Sequence, residues 1–197
     1  MYSKYDFQWL VTEHQEVFDE FSVAWVSEPD PVQALRLFDA DIQRPASGLD
    51  DLLDRTVENF EAHSTDRLLL GAYPLNRRWS FIVEVNGYVT NDTETILRAS
   101  QRAEIVSLYR NVNVGKTFKW AAGGEMKLDF YPSEPDDIRG SASEEARALI
   151  AASSQGSYLG DNPPDIDTTA AALALAANIT GVNIDRENFI RPLTYVE

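Results

Sequence analysis

Residues 79–85, Trp-Ser-Phe-Ile-Val-Glu-Val, decide the fold class, because large apolar side chains recur there at every second position. A period of two places successive side chains on opposite faces of a β-sheet. The stretches 116–122 (Lys-Thr-Phe-Lys-Trp-Ala-Ala) and 125–130 (Glu-Met-Lys-Leu-Asp-Phe) show the same alternation. Polar residues opposite the apolar ones indicate that one face meets water or a partner. We therefore predict an antiparallel sheet that is covered on one side.

Further strands are predicted on both sides of this stretch, at residues 21–26, 67–73 and 104–112. Gly123 and Gly124 indicate a two-residue hairpin turn, and Asn86 with Gly87 predicts another hairpin that returns through residues 88–90. Helices are predicted near residues 31–39, 141–154 and 168–179, and Asp30 and Pro31 are a typical start for the first of them. Residues 41–66 are polar, and four apolar side chains allow a short helix there: Leu49, Leu52, Leu53 and Val57. Residues 55–64 either continue this helix or form a loop.

Together these elements predict a single α+β domain over residues 1–197. The expected architecture is an antiparallel sheet of five to seven strands, packed by about three to four helices. The sheet-rich part covers residues 21–130, and a helical part covers residues 141–190. The predicted core consists of Trp25, Leu35, Phe38, Leu69, Trp79, Phe81, Val83, Phe118, Trp120, Leu128, Phe130, Leu149 and Leu173.

The chain is strongly acidic, with 17 basic and 32 acidic residues and a net charge of -15 at pH 7. A surface of this sign repels nucleic acid and anionic membranes and attracts a basic protein. The alternative interpretation is that the charge only maintains solubility.

Several classes of protein are excluded by composition. Cysteine is absent, which rules out disulfide bonds, thiolate catalysis and cysteine-bound zinc. No stretch approaches the roughly 20 apolar residues that a membrane helix needs, and the polar N-terminal residues do not resemble a signal peptide. We therefore expect a soluble, cytoplasmic protein.

Few residues of the sequence suggest catalysis, metal binding or phosphate binding. The two histidines, His14 and His63, have no neighbour at the spacing of metal ligands. Residues 115–117, Gly-Lys-Thr, copy the end of a phosphate-binding loop, but Arg110 occupies the position of the glycine that such a loop requires. The lysine also begins a strand, whereas a phosphate-binding loop opens a helix. We expect no catalytic residue, no metal and no cofactor.

Two groups of residues are candidates for binding. Glu84 lies in mid-strand on the polar face, where it either meets solvent or, as we favour, pairs with an arginine of a neighbouring strand. A small-ligand pocket on that face would be lined by Arg78, Glu84, Tyr109 and Arg110. The candidate contacts for a protein partner are the acidic clusters Asp50, Asp51 and Asp54, and Glu134, Asp136 and Asp137.

The order of short motifs resembles a bacterial domain family of unknown function that is common in high-GC Gram-positive bacteria. The motifs are residues 37–41 (Leu-Phe-Asp-Ala-Asp), 79–84, 96–100 (Ile-Leu-Arg-Ala-Ser), 106–113, 118–125 and 179–184. The resemblance covers about residues 5 to 195 and implies no activity, cofactor or site. In outline the chain is also loosely similar to small acidic immunity-type proteins of bacterial conflict systems.

The sequence therefore leaves three functional hypotheses open. The first is a non-enzymatic acidic module that binds a basic protein, such as an immunity or regulatory partner. The second is an inhibitor that mimics nucleic acid by presenting a row of carboxylates. The third is a small-ligand binder or enzyme that uses the polar face of the sheet. The sequence leaves the oligomeric state open.

Overall fold

The computed structural model describes residues 1–14, 20–40, 44–63, 69–85, 87–111, 113, 115–155, 165–189 and 193–196. Its helices are α1 (Gln8–Glu13), α2 (Pro31–Arg36), α3 (Leu49–His63), α4 (Thr93–Ala99), α5 (Ser143–Ser154), α6 (Asp165–Thr180) and α7 (Arg186–Phe189). Its strands are β1 (Phe21–Val26), β2 (Arg44–Ala46), β3 (Leu70–Pro74), β4 (Ser80–Val85), β5 (Ile105–Arg110), β6 (Lys116–Ala122), β7 (Glu125–Phe130) and β8 (Leu193–Val196). Short 3-10 turns occupy Lys4–Asp6 and Val89–Asn91.

The described strands form one antiparallel sheet in the order β2-β8-β3-β4-β1-β5-β6-β7. The six strands from β3 to β7 in this order have five or more residues each, and four of the described helices have seven or more. The α+β class and an antiparallel sheet of the predicted size are therefore confirmed. The short strands β8 and β2 extend this sheet beyond β3, and β8 lies in a part of the chain for which the sequence predicted no strand.

Helices cover both faces of the sheet, so the prediction of a sheet covered on one side is wrong. The first face carries Phe21, Val23 and Trp25 of β1 and shares an apolar core with α1, α3, α5 and α6. Residues 168–177 of α6 are all buried, because this helix contacts α1, α5 and β5. A helix buried on all sides reads as apolar all round, as the alanine-rich sequence of α6 does.

The second face, which carries Ser22, Ala24 and Val26 of β1, is covered by α2, α4 and the Val89–Asn91 turn. Ala24 and Val26 share a smaller core with residues such as Leu35 and Phe38. Ser22 lies on the same face and is fully buried. Its neighbours on this face hydrogen-bond one another, as described below. Polar residues in alternation thus mark an internal hydrogen-bond network here, and not contact with water.

Both edges of the sheet are protected from pairing with another chain. Residues 139–142 cross the outer side of β7, and Arg139 exchanges two backbone hydrogen bonds with Asp129 at 2.8 and 2.9 Å. Gly140 makes this crossing sterically possible, because a Cβ there would lie 2.4 Å from the carbonyl oxygen of Lys127. At the opposite edge, β2 has only three residues, and Pro45 is one of them. Short edge strands and proline both discourage edge-to-edge pairing.

The predicted core is largely confirmed. Trp120 and Leu149 are the exceptions, since both are only half-buried and pack at its margin. The other predicted core residues are buried: Trp25, Leu35, Phe38, Leu69, Trp79, Phe81, Val83, Phe118, Leu128, Phe130 and Leu173. Asp30 caps α2 as predicted, with its carboxylate accepting the amide hydrogen of Val32 at 2.9 Å.

One local prediction is wrong, and one alternative that the sequence left open is decided by the structure. The chain after Gly87 does not return as a strand but forms the Val89–Asn91 turn and then α4, and Asn86 lies outside the described residues. The polar stretch 41–66 contains the 15-residue helix α3, which buries Leu49 and Leu52. The sequence predicted the start of this helix but left its length open, because only a few of its side chains are apolar, which is enough to anchor one face but gives a weak sequence pattern.

Candidate functional site

The first acidic cluster lies on α3, and its three carboxylates differ in their surroundings. Asp50 and Asp54 are exposed, whereas Asp51 is half-buried. Asp51 accepts a hydrogen bond from the amide of Ser47 at 2.9 Å and an ion-paired one from Arg55 at 2.8 Å. The hydrogen bond from Arg55 holds the pKa of Asp51 below its usual value, and the Ser47 amide adds to the effect. Asp51 therefore organises the start of α3, and the other two carboxylates remain on the surface.

The second acidic cluster lies on the connector, residues 131–138, which joins β7 to the crossing segment. Glu134, Asp136 and Asp137 are all exposed. Two backbone hydrogen bonds shape the connector, from the amide of Glu134 to the carbonyl of Tyr131 at 2.7 Å and from that of Asp137 to Glu134 at 3.1 Å. Tyr131 is exposed as well, with the guanidinium carbon of Arg139 at 5.7 Å from its ring centroid. The connector thus presents carboxylates and an aromatic ring on ordered turns.

The two acidic clusters lie at opposite edges of the sheet. Helix α3 contacts β2 and β8 at one edge, whereas the connector follows β7 at the other edge. Seven strand spacings separate β2 from β7 in the sheet order. At about 4.8 Å per spacing, the two edges lie on the order of 30 Å apart.

Glu84 is fully buried on the second face of the sheet and forms the centre of a polar network. Its Oε1 accepts the amide hydrogen of Val89 at 3.0 Å, and its Oε2 accepts the amide of Thr90 at 3.0 Å. The hydroxyl of Thr90 donates to the same Oε2 at 3.1 Å and lies 2.6 Å from that of Ser22. The favoured pairing of Glu84 with an arginine is therefore wrong, because backbone amides and a hydroxyl occupy its two oxygens.

Burial raises the pKa of Glu84, against the opposing effect of the hydrogen bonds from Thr90 and Val89. The chain can approach the carboxylate this closely only because residue 87 is glycine. A Cβ at Gly87 would lie 2.0 Å from Oε1 of Glu84. Gly87 is therefore needed for contact with Glu84, and not for a hairpin turn.

Lys119 binds the C-terminal end of the Val89–Asn91 turn, whose first two amides bind Glu84. Its ammonium group donates to the carbonyl of Asn91 at 2.6 Å and to the hydroxyl of Thr93 at 2.9 Å, and the residue is buried. Burial lowers the pKa of Lys119, while the charges of Asp129 and Asp92 partly oppose that shift. The side chain of Asn91 completes the network, because it donates to Ser107 and accepts from Thr117, both at 2.7 Å.

The structure does not bring the four residues of the predicted small-ligand pocket together at one place. Glu84 and Tyr109 both pair with Ser22 and lie on the second face, on either side of β1. Arg78 lies beyond the opposite end of β4, where it pairs with Glu104 at 2.9 Å. Arg110 follows Tyr109 in β5 and pairs with Phe21, which places it on the first face. Burial raises the pKa of Tyr109, and nearby negative charges such as Glu84 add to this shift.

Residues 115–117 lead into a strand, as predicted, and do not open a helix as a phosphate-binding loop does. Lys116 and Thr117 begin strand β6, which pairs with β5. The side-chain oxygen of Asn111 accepts the amides of Asn113 and Gly115 at 3.0 and 2.9 Å and shapes the turn between these strands. Among the described residues, no group of three or more His, Asp or Glu is arranged to hold a metal ion.

Sequence reasoning missed the roles of Lys119, Asn91 and Gly87. Alternation in 116–122 assigns Lys119 to the polar face, and this is correct, but it does not show that a second layer covers that face. The one usable signal was the cluster Thr90, Asn91 and Asp92 between two apolar stretches. Such residues commonly form turns and helix caps, and Asp92 indeed caps α4 by accepting the amide of Thr95 at 2.9 Å.

A comparison with known protein families shows which family this chain belongs to. A family of unknown function, DUF6461, matches residues 1–195. The chain belongs to that family. The resemblance to a domain family of unknown function is thereby confirmed for nearly its whole length, and the family description gives no activity for DUF6461.

Comparisons with curated proteins and with solved structures find no significant match to this DUF6461 chain. Within the part of the chain that is described, no helix combines the length and apolar character needed to cross a bilayer.

Proposed function

We propose that this protein is a non-enzymatic acidic module that binds a basic protein, as an immunity or regulatory protein of a bacterial cytoplasm does. The observation that carries the proposal is the net charge of -15, to which the exposed carboxylates of α3 and the connector contribute. Charge of one sign accelerates encounter with a surface of the opposite sign and discriminates against acidic partners.

The backbone that carries the carboxylates supports the proposal. Asp50 and Asp54 lie on a helix whose start is held by Asp51, and the connector is shaped by backbone hydrogen bonds. A surface that is ordered before binding loses less conformational entropy on association than a flexible acidic tail. The separation of the clusters at opposite edges favours a basic protein over a mimic of nucleic acid, which needs its carboxylates in one regularly spaced row.

The proposal is tested by immobilising the full chain and measuring which proteins of a bacterial lysate it retains at rising NaCl concentration. We expect retained proteins to be basic and to elute as salt screens the attraction, since the Debye length falls from about 30 Å at 0.01 M to about 8 Å at 0.15 M. Retention that is equal at low and high salt would contradict charge-based recognition. Elution of the partner by added duplex DNA would favour the nucleic-acid mimic.

Three variants identify the surface that binds. Asp50→Asn with Asp54→Asn neutralises the α3 cluster, and Glu134→Gln with Asp136→Asn and Asp137→Asn neutralises the connector. Asp51 is left unchanged, because it holds the start of α3. The matched control is Glu94→Gln with Glu144→Gln and Glu145→Gln, which removes three exposed acidic charges elsewhere. We expect the control to keep the partner and at least one cluster variant to lose it.

A further inference from the structure

Three side chains meet at one end of the second face of the sheet and define the Tyr88 patch: Glu20, Tyr88 and Tyr109. Glu20 directly precedes β1 and lies on the same face as Ser22, which pairs with Tyr109 of β5. Burial raises the pKa of the Tyr109 phenol, and the nearby Glu20 and Tyr88 add to that shift. The three side chains therefore lie close together, although they come from three separate parts of the chain.

The Tyr88 patch is accessible, and the backbone that carries it is fixed. Tyr88 is 61% exposed, whereas Tyr109 and Glu20 are half-buried. Tyr88 precedes Val89, whose amide donates to the buried carboxylate of Glu84 at 3.0 Å. Tyr109 lies in a strand with a paired neighbour on each side. A tyrosine on a fixed backbone offers a large contact area and loses little conformational entropy when a partner binds.

The polar groups of the Tyr88 patch are not used by the fold. Among the residues that the structure describes, none forms a hydrogen bond or an ion pair with the carboxylate of Glu20 or with the phenolic oxygens of Tyr88 and Tyr109. Partial burial weakens the hydration of a carboxylate, and here no group of the described chain replaces the lost water. A cationic group from another molecule would supply that missing interaction.

The charge around the Tyr88 patch favours a cationic partner. After burial, the negative charge of Glu20 contributes most to the raised pKa of Tyr109. Arg110 and Lys116 lie in the same pair of strands but face the first side of the sheet, where both are buried. An anionic ligand would be repelled by the carboxylate, whereas a lysine or arginine side chain gains from both the carboxylate and the aromatic rings.

The acidic connector begins at the same end of the sheet. Tyr109 pairs with Thr117 of β6, and the next residue, Phe118, pairs with Phe130 at the end of β7. Tyr131 follows directly, so its backbone lies on the order of 10 Å from that of Tyr109, at two strand spacings. The connector, with its exposed carboxylates, therefore continues the negative surface of the Tyr88 patch.

We propose that the Tyr88 patch, together with the neighbouring connector, is the surface that binds the basic partner, and that a lysine or arginine side chain of that partner contacts both tyrosines and Glu20. This inference rests on the proposed function and deepens it, because it adds an aromatic contact to an attraction between net charges. Aromatic residues surrounded by charged groups commonly supply most of the binding energy of an interface. The α3 cluster, at the far edge of the sheet, then lies outside the contact.

The probe is an acetylated and amidated octapeptide of alternating lysine and glycine, titrated into the full chain at about 0.15 M NaCl to screen long-range attraction. The readout is the NMR signal of each tyrosine ring in protein that carries isotope-labelled tyrosine. Tyr5 is the internal reference, because it is 60% exposed and lies in the N-terminal 3-10 turn. We expect saturating shifts of the Tyr88 and Tyr109 signals and none of the Tyr5 signal.

A second peptide, of alternating glutamate and glycine, controls for the sign of the charge, and we expect it to shift none of these signals. A Tyr88 signal that does not move with the lysine peptide would overturn the proposal. Shifts of equal size for Tyr5 and Tyr88 would also overturn it, because they would show that the peptide binds without preference for the patch.

Substitution of Tyr88 tests the aromatic contact. We expect Tyr88→Ala to weaken binding of the lysine peptide by about three- to tenfold, because the ring that faces the cation is lost. Tyr88→Phe keeps the ring, and we expect nearly the affinity of the wild type. Tyr5→Ala is the matched control, since it removes a tyrosine of almost equal exposure, 60% against 61%. Equal affinities of Tyr88→Ala and Tyr5→Ala would refute the contact.

Substitution of Glu20 tests the carboxylate. We expect Glu20→Gln to weaken binding of the lysine peptide by about threefold. The matched control is Glu28→Gln, because Glu28 is also half-buried and lies beyond the opposite end of β1. Its Oε1 accepts the amide hydrogen of Asp30 at 3.1 Å, and a glutamine oxygen can accept the same bond. Losses of the same size in both variants would show that only net charge matters and would contradict a local role for Glu20.

The same variants distinguish failure of this inference from failure of the proposed function. If Tyr88→Ala and Glu20→Gln retain the basic partner as tightly as the wild type while a variant of the acidic clusters loses it, the proposed function holds and the Tyr88 patch is not the contact. If the chain retains no basic protein but the lysine peptide binds as expected, the patch recognises cationic side chains and the proposed function fails.

Discussion

Glu84 and Lys119 hold opposite ends of the Val89–Asn91 turn, and the signs of their charges match its polarity. The carboxylate accepts the first two amides of the turn, and the ammonium group donates to its last carbonyl. Unpaired amides at the start of a helical turn favour an anion, and unpaired carbonyls at its end favour a cation. Two buried side chains, one acidic and one basic, thereby fix the two ends of this short turn.

The raised pKa of Glu84 makes a testable contribution to the pH dependence of stability. The folded state binds its proton more readily than the unfolded state, so Glu84 favours folding below its unfolded pKa of about 4.5. That contribution is lost as pH rises through the folded pKa. We expect the free energy of unfolding of the wild type, minus that of Glu84→Gln, to fall as pH rises above 4.5 and then to level off. The size of the fall is about 1.4 kcal/mol for each pH unit between the two pKa values.

Urea denaturation at a series of pH values measures this difference. Glu94→Gln, which removes an exposed carboxylate from the neighbouring helix α4, is the control for the loss of one acidic group. A difference between the wild type and Glu84→Gln that does not vary with pH would contradict the assignment.

At the scale of elements, the crossing of β7 by residues 139–142 closes one edge of the sheet. The amide of Ala142 donates to the carbonyl of Lys127 at 2.8 Å, and Arg139 and Asp129 exchange the bonds described above. The crossing links the acidic connector to the sheet, so the position of the carboxylates depends on it. Gly140, with a φ of +112°, is the residue on which the close passage depends.

We expect Gly140→Ala to destabilise the protein by about 2–4 kcal/mol, because the new Cβ clashes with the backbone of Lys127 in a conformation that L-residues avoid. Hydrogen exchange of the Asp129 amide should accelerate, since its acceptor is the displaced Arg139. Gly123→Ala is a matched control: Gly123 also has a positive φ, of +64°, but no atom lies within 4 Å of a Cβ built there. We expect a cost of only about 1 kcal/mol for the control, and equal losses in both variants would argue against the close passage.

At the scale of the whole molecule, the net charge of -15 destabilises the folded state, because the carboxylates repel one another. We expect the melting temperature to rise as NaCl is increased from about 0.01 to 0.15 M, because screening weakens that repulsion. The variant that combines Asp50→Asn, Asp54→Asn, Glu134→Gln, Asp136→Asn and Asp137→Asn should show a smaller rise. Calorimetry in both salts measures the effect, and a melting temperature that falls with salt would indicate that ion pairs outweigh the repulsion.

The sequence alone predicted the antiparallel sheet, the positions of its central strands and most of the core, because alternation and apolar side chains are local signals. It also predicted the start of α2, since an N-cap and a proline act within one turn. The sequence offered the acidic clusters as candidate contacts for a protein partner. In the structure Asp50, Asp54 and the connector carboxylates are exposed, whereas Asp51 is half-buried.

Tertiary structure alone decided that the second face is buried. A polar residue of a strand has the same sequence signature whether it meets water or a hydrogen-bond partner from another element, and the partners of Glu84 and Lys119 belong to a turn outside their strands. It also decided that β8 joins the sheet beside β3 and that Trp9 meets Arg186, residues far apart in the chain. Contacts of this kind follow from how elements pack, and no local pattern encodes them.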